Sequence, residues 1–496
     1  MLLFRHVMVE RPLRPPRTEL AAGLEVPRVI TGLWQIADME RDGTPLDADV
    51  AGRALGEYAD AGFDAFDMAD HYGSAELIVG RYLARAGRGR ATAFTKWCPP
   101  PGPMTPKVVA DGVQQRLERL GLSRIDLLQF HWWQYRHPGY LDAMVELDRL
   151  RGAGLIAHLG VTNFDADHLR LLVKHGIPVV SNQVSFSLLD RRPAGRMTEV
   201  CRETGVKLLA YGVLAGGFLS DRWVDRPEPT SIPDWSKSKY KRFIDTIGGW
   251  DAVQRVLAAA KTIAVKHGVS VANVATRWVL EQDAVGAVII GARLGEREHR
   301  GDNVAVFGFA LDDADRARLA EAQSRLREIP GDCGDEYRKP PFLTASGDLS
   351  HHLAGLPRVF TASPGVARPE RTMVDSGSRW EPIAGYARAV RAGHRILVSG
   401  TTATHGERTM VCPGDAEGQT VYILDKIGAA IEALGGELAD VVRTRIYVRD
   451  ATRAEPVARV HGRYFGAVRP ANTLVEIAGL VGGYEVEIEA EADVAR

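Results

Sequence analysis

Apolar and polar positions along the first two thirds of the chain alternate between two periods. Eight short β-rich runs stand out between Val29 and Ala292: VITGLW, FDAFDMA, TAFTKW, IDLLQFHW, LIAHLGVTN, IPVVSNQVS, KLLAYGVL and AVGAVIIGA. Between most of them lie stretches with helical spacing of apolar residues, such as ADVAGRALGEYADAG (48–62) and YLDAMVELDRLRGAG (140–154). Strand and helix in regular alternation specify a parallel sheet. Eight such units in this length are what a closed (β/α)8 TIM barrel requires. An open doubly wound sheet binding a dinucleotide would show GxGxxG after its first strand, and that fingerprint is missing there.

Over residues 331–378 the periodicity is lost and Pro, Gly, Ser and charged residues gather, so this stretch reads as a linker. A compact α+β pattern follows over 379–496: strands near YARAVRAG and RILVSGTT, a helix from about Asp415 to Leu434, strand VVRTRIYVRD, helix EPVARVHGRYFGAV, then strands NTLVEIAG and YEVEIEAEA. The first of these helices places Ile423, Ile427, Ile431 and Leu434 on one face, which is expected to pack on the sheet. The expected organisation is thus an N-terminal arm (1–26), an α/β barrel domain (27–330), the linker, and a smaller α+β domain.

Composition narrows the function. At 496 residues the chain exceeds what one hydrophobic core organises. With 62 basic and 63 acidic residues the net charge is -1, which provides no field for nucleic acid or an anionic membrane. Cys98, Cys201, Cys333 and Cys412 are far apart in sequence, so neither a zinc site nor a disulfide framework is expected. The apolar run at the start is too short for a secretory signal, and no stretch has the length of a membrane span. The expectation is a soluble cytoplasmic protein without metal, acting on a small molecule.

In a barrel of this kind the reacting groups sit at the carboxyl ends of the strands. Four polar residues fall there: Asp67 ending its run, Tyr72 in the following loop, Lys96 ending TAFTK, and His131 after DLLQF. A lysine between Phe94 and Trp97 is costly to bury unless paired, and Asp67 is the expected partner. An ammonium beside Tyr72 stabilises its phenolate and makes the phenol a better acid than its ordinary pKa of ~10 allows. His131 is placed to orient a substrate oxygen toward Tyr72. General acid chemistry on a carbonyl follows.

These residues also carry a family resemblance. FDMADHYG, the lysine of TKW, DLLQFHWW, GLIAHLGVTNF, SNQ at 181–183, LLAYGVLAGGFL, and VIIGAR followed by Asn303 resemble the aldo-keto reductase superfamily over about residues 27–327. The resemblance implies hydride transfer from a nicotinamide cofactor, usually NADPH, to aldehydes and ketones. It makes Asp67, Tyr72, Lys96 and His131 the catalytic tetrad. It places Thr162, Asn163 and Gln183 at the nicotinamide carboxamide and Tyr211 on the ring, roles that suit an amide headgroup and a flat π face. Gly291 and Asn303 fall in the family's cofactor segment.

The segment 291–303 is about two residues longer than the family's usual spacing, and Arg293, Arg297 and Arg300 all stand where a 2′-phosphate needs charge-assisted donors. NADPH is the expected cofactor, with NADH as the alternative. The longest loop, Ala215 to Gly248, carries Trp223, Trp235, Tyr240 and Phe243 and suits a wall over an apolar pocket. Trp34, Trp97, Trp132 and Trp133 are further candidates for the substrate-binding mouth, the core being the other place for such aromatics.

The carboxy-terminal unit has its own resemblance. GYARAV, ILVSGTTAT, DVVRTRIYV, HGRYFG, RPANTLVEIAGL and VEIEAEA resemble the Rid (reactive intermediate deaminase) family over about residues 379–493, which implies a chorismate-mutase-like fold and trimers with clefts between subunits. Tyr386, Ser399 and Glu487 match the cleft of that family. Asn472 stands where deaminating members have the arginine that grips a substrate carboxylate, and a neutral amide cannot replace a bidentate guanidinium. Three functions are compatible with this sequence. The first is an NADPH-dependent carbonyl reductase whose Rid-like tail serves assembly or ligand binding. The second is coupled C=N chemistry, by imine reduction or by imine hydrolysis followed by carbonyl reduction. The third is an NADPH-binding redox-sensing subunit, which the intact tetrad disfavours. A homo-oligomer in multiples of three is expected.

Overall fold

The computed structural model describes residues 14–41, 43–295, 299–344 and 349–494. A hairpin of β1 (Arg17–Ala21) and β2 (Leu24–Pro27) leads into eight strands: β3 (Val29–Gly32), β4 (Ala65–Asp67), β5 (Thr92–Trp97), β6 (Ile125–Phe130), β7 (Ile156–Thr162), β8 (Val179–Ser185), β9 (Lys207–Tyr211) and β10 (Val285–Gly291). They pair in parallel in chain order, and β10 closes on β3. All eight coincide with the β-rich runs of the sequence, because a parallel strand buried on both faces reads as a short apolar run between helices. The hairpin packs at the end where the strands begin. Leu20, Leu24 and Val26 are buried with Ile30, Phe94, Leu127 and Leu209, and a Cβ at Gly286, near the start of β10, would lie 2.7 Å from Leu20. That end is closed, so the opposite mouth carries the site.

The second domain is a seven-stranded sheet ordered β11 (Ser363–Pro364), β12 (Arg371–Val374), β13 (Ala389–Ala392), β14 (Arg395–Thr402), β19 (Val486–Asp493), β17 (Val441–Val448), β18 (Ala471–Glu476). A small separate pair is formed by β15 (Thr404–His405) and β16 (Thr409–Met410). Strands β17 and β18 are parallel, joined by the helix Ala454–Phe465, and the other pairings are antiparallel. Two strands of this sheet, β11 and β12, come from the stretch that reads as linker, and the residues Asp335–Arg338 of the same stretch form a helical turn against the barrel mouth. Their local sequence has too few alternating positions to signal a strand.

The helix Ala416–Ala433 begins at Asp415, whose side chain accepts a hydrogen bond from the amide of Gly418. Ile423, Ile427 and Ile431 are fully buried and Leu434 nearly so. The burial extends around most of the helix, since its second face meets the barrel helix Ala166–Lys174. That explains its apolar character beyond one stripe.

Ion pairs fix this contact. His168 lies between two carboxylates, Nδ1 at 2.8 Å from Asp165 Oδ1 and Nε2 at 2.8 Å from Asp425 Oδ2. Arg170 donates to both oxygens of Asp415 at 2.7 and 2.8 Å, and Arg463 to both oxygens of Asp167 at 2.6 and 2.8 Å. Burial works against the charge on His168, but the two acids outweigh it and hold its pKa up at about 10. The pKa lies above the ordinary 6.5, so the stabilisation is complete below pH 6.5 and is lost as pH rises through about 10. Asp425→Ala leaves a buried cation with one partner and is expected to cost about 3–5 kcal/mol at neutral pH. Denaturant unfolding followed by tryptophan fluorescence checks this, and the difference from wild type should shrink as pH is raised toward 10.

Candidate active site

The four strand-end residues converge at the open mouth. Lys96 Nζ donates to Asp67 Oδ2 at 2.6 Å and to the Met68 carbonyl at 2.9 Å, and both side chains are almost fully buried. The other oxygen of Asp67 accepts from Gln129 Nε2 at 3.0 Å and Gln183 Nε2 at 2.8 Å. The ammonium lies 5.0 Å from the centre of the Tyr72 ring. Tyr72 is held at the rim by Trp34, whose ring meets it edge-on at 5.0 Å.

His131 is 2 % exposed. Burial, reinforced by the Arg338 guanidinium, keeps its pKa well below the ordinary range, so the ring is neutral. Nδ1 lies 3.2 Å from the carbonyl oxygen of Thr162, an acceptor, so Nδ1 carries the proton. Nε2 is buried without a hydrogen-bond partner among the described residues and presents a lone pair. A neutral imidazole in this tautomer accepts a hydrogen bond from a hydroxyl or a protonated substrate atom and cannot supply the proton; contrary to expectation, it has no hydrogen on Nε2 with which to orient a carbonyl oxygen. Of the two, only the hydroxyl of Tyr72 carries a proton it could give.

Asp67, Tyr72, Lys96 and His131 border one cavity of about 750 Å³. Thr162, Asn163, Gln183, Tyr211, Gly291, Arg293 and Asn303 line it. Asn163 adopts a left-handed backbone (φ 59°), which asparagine tolerates better than most residues. Its Oδ1 accepts from Tyr211 Oη at 2.7 Å, which fixes the plane of the Tyr211 ring. Gln183 faces the same space but spends its amide on Asp67 and on Gln129 Oε1 at 2.8 Å. A Cβ at Gly291 would meet the terminal amide of Gln35, which would have to swing aside. Arg293 lines the cavity and is paired with Asp234 at 2.9 Å. Arg300 pairs with Glu57 at 3.0 Å and lies over the Tyr58 ring. Arg297 lies outside the described residues. The polar groups, the aromatic face and the volume fit a dinucleotide.

The wall for a substrate differs from expectation. Trp34 lines the cavity, but Trp97 and Trp132 do not. Trp97 follows the inward-pointing Lys96 and, by the two-residue period of a strand, turns outward to pack on Phe130 and against Gly112 of the helix Pro106–Leu120. Trp132 likewise follows His131 and donates Nε1 to the carbonyls of Gln134 and His137. Trp133 takes the mouth position instead, its ring edge-on to His131 at 4.4 Å. The loop Ala215–Gly248 contributes Trp223 from a short turn, and Trp235 and Tyr240 from a helix over Trp235–Ile247, to the lining, whereas Phe243 is core.

Several site residues gave no local sequence signal. Gln129 reads as an ordinary strand residue, and only the barrel register brings it beside Asp67. Lys239, Tyr337 and Leu349 line the cavity from segments distant in sequence. Arg338 donates to the carbonyl oxygens of Asn163 and Trp132.

In the second domain Tyr386 Oη accepts from Arg388 Nη2 at 3.1 Å, and Arg388 Nη1 donates to the carbonyls of Ser399 and Gly400. Glu487 lies against Gly400, and burial raises its pKa above the ordinary range. Asn472 is separated from Glu487. It sits on β18 opposite Thr444, to which its Nδ2 donates at 2.9 Å, whereas Glu487 opposes Tyr447. Three residues along a strand is about 10 Å.

Comparison with known proteins agrees with this geometry. The model of the Aldo/keto reductase family matches residues 28–324, and a model described as Endoribonuclease L-PSP matches 376–494. The chain is 24% identical over 326 residues to the NADH-specific methylglyoxal reductase of Escherichia coli (strain K12), covering 60% of this chain and 95% of that protein. It is 38% identical over 120 residues to an uncharacterized protein of Streptomyces coelicolor, covering 24% of this chain and 89% of that protein. Among solved structures, a glycerol dehydrogenase from Gluconobacter oxydans shares the barrel fold with a TM-score of 0.53 at 23% identity, covering 64% of this chain and 97% of its own. No helix among the described residues is long and apolar enough to cross a membrane.

Glu40 accepts from two cavity-lining residues, from Trp34 Nε1 at 2.5 Å and from the Ser236 amide at 3.2 Å. Burial, with Asp234 nearby, pushes its pKa from the ordinary 4.5 up to about 7. The folded state binds the proton more tightly, so stability is expected to fall as pH rises from 4.5 through about 7. Glu40→Gln should flatten that slope, which melting curves across the range will check.

Proposed function

Since the chain belongs to the aldo/keto reductase family over residues 28–324, and its residues 376–494 form a Rid-family domain, we propose that the full chain is an NADPH-dependent reductase of aldehydes or ketones. The family implies NAD(P)H-dependent carbonyl reduction. The observation that carries the reading is the Lys96–Asp67 pair beneath Tyr72, opposite a neutral His131 that cannot act as the acid. The nicotinamide cofactor supplies hydride when bound. Thr162, Asn163 and Tyr211 hold its amide and ring, Gly291 and Asn303 border the rest of its path, and Tyr72 delivers the proton to the carbonyl oxygen.

The Rid-like domain serves assembly, and its threefold association sets the oligomer. The sheet face and edge that it exposes, with Leu397, Val442 and Val475 at 41–49% exposure, support this. Asn472 offers no guanidinium to a substrate carboxylate and spends one amide hydrogen on Thr444, which speaks against an imine deaminase of the usual kind. Reduction of C=N is the second reading. It is favoured by the Nε2 lone pair of His131, an acceptor for an imine N–H.

Tyr72→Phe is expected to lower carbonyl reduction by about 10²-fold or more. NADPH binding by fluorescence titration should change little, because the cofactor is held from other strands. Turnover near wild type in this variant would refute the assignment. NADPH is expected to bind more tightly than NADH, and Arg293→Ser should shrink the difference. Equal affinities in wild type at moderate salt would refute that choice.

A further inference from the structure

The substrate pocket carries a second imidazole that the reaction proposed above does not use, and the inference drawn from it rests on that reading. His71 lines the cavity beside Tyr72, with 18% of its side chain exposed. Its Nδ1 is 2.8 Å from Asp70 Oδ1, and Asp70 Oδ2 accepts from the amide of Cys98 at 2.8 Å. The ring stands edge-on to Tyr72, centres 4.9 Å apart, and tilts against Trp34 at 6.2 Å. An acid anchored on a neighbouring strand end and two aromatic rings therefore fix its orientation.

With Nδ1 committed to Asp70, Nε2 is the polar atom that His71 has left for the pocket. Asp70, His71 and Cys98 hold their ligand atoms within 4.8 Å of one another, which suggests a metal cage at first sight. Both Asp70 oxygens are already used, and burial pushes the Cys98 thiol well above its ordinary pKa, so it stays protonated. The cluster is a mount for the imidazole.

We infer that His71 determines substrate specificity by hydrogen-bonding a hydroxyl on the carbon next to the reacting carbonyl. The preferred substrates are then 2-hydroxy-aldehydes and 2-hydroxy-ketones. Position follows from adjacency: Tyr72 and His71 are consecutive, their ring centres are 4.9 Å apart and both line the cavity, so a carbonyl oxygen on Tyr72 brings the substituents of the adjoining carbon beside His71. Chemistry follows from the tautomer. Asp70 accepts the Nδ1 proton, so a neutral ring accepts at Nε2 and a protonated ring donates there, and a hydroxyl serves either state. Hydrocarbon at the same place leaves Nε2 desolvated and unpaired, which penalises the plain carbonyl compound.

The test compares propanal with 2-hydroxypropanal, which differ only in that hydroxyl, using the full chain and NADPH. Wild type is expected to favour the hydroxy-aldehyde in kcat/KM by about tenfold or more. His71→Phe, which keeps a ring and removes Nε2, should bring the ratio close to one, and His71→Gln, which keeps a polar tip, should retain part of it. No preference in wild type, or a preference that survives in His71→Phe, overturns the assignment and leaves carbonyl reduction standing. Equal losses on both aldehydes in both variants, with the ratio unchanged, show a merely structural role and overturn it too. Failure of wild type to oxidise NADPH with any aldehyde overturns the parent reading instead.

Discussion

A lysine ammonium buried at the mouth of a barrel is the constraint around which the site is organised. Removing two charges from water costs several kcal/mol per ion, and the attraction between them offsets this only when the remaining hydrogen-bonding positions are filled. Here Lys96 takes Asp67 and the Met68 carbonyl, and Asp67 takes the amides of Gln129 and Gln183. These partners come from β4, β5, β6 and β8 and the residue following β4, so satisfying one ion pair ties half of the barrel strands together at one end. That convergence gives the mouth its fixed geometry, with Tyr72 on one side and the neutral imidazole of His131 on the other.

Much of this was legible along the chain because the barrel is built from local periods. Each parallel strand announces itself as an apolar run, and a polar residue at or just past its carboxyl end interrupts that run where a barrel places its reacting groups, so Asp67, Lys96 and His131 are visible. What a single run does not reveal is which of two neighbouring residues faces inward. Trp97 follows Lys96, and one step along the strand sends it to the opposite side, while Trp132, just past the end of β6, turns its indole to the carbonyls of Gln134 and His137. Gln129 looks like any strand residue until register places it beside Asp67. Tyr337 and Arg338 come from a stretch without periodicity, and only folding brings them over His131 and Asn163. In the second domain the helices and long strands were readable, whereas β11 and β12 are too short to alternate.

The two domains are joined by more than a tether. His168, held between Asp165 and Asp425, stacks on Tyr135 with ring centres 3.5 Å apart. The guanidinium of Arg338 lies over the same Tyr135 ring at 4.5 Å and donates to the Asn163 carbonyl. A continuous set of packed groups thus runs from the C-terminal domain to the edge of the cavity at the barrel mouth. The segment that follows the barrel adds Tyr337 and Leu349 to the pocket, so the chain that links the domains is also part of the site.

The most direct test of the central claim is the fate of the hydride. Full-length protein is supplied with NADPH deuterated at the transferable position of its nicotinamide and with an aldehyde substrate, and the alcohol is analysed by mass spectrometry and NMR. The account predicts one deuterium on the former carbonyl carbon and consumption of one NADPH per alcohol. Tight binding of NADPH with no labelled alcohol from any aldehyde or ketone would contradict it.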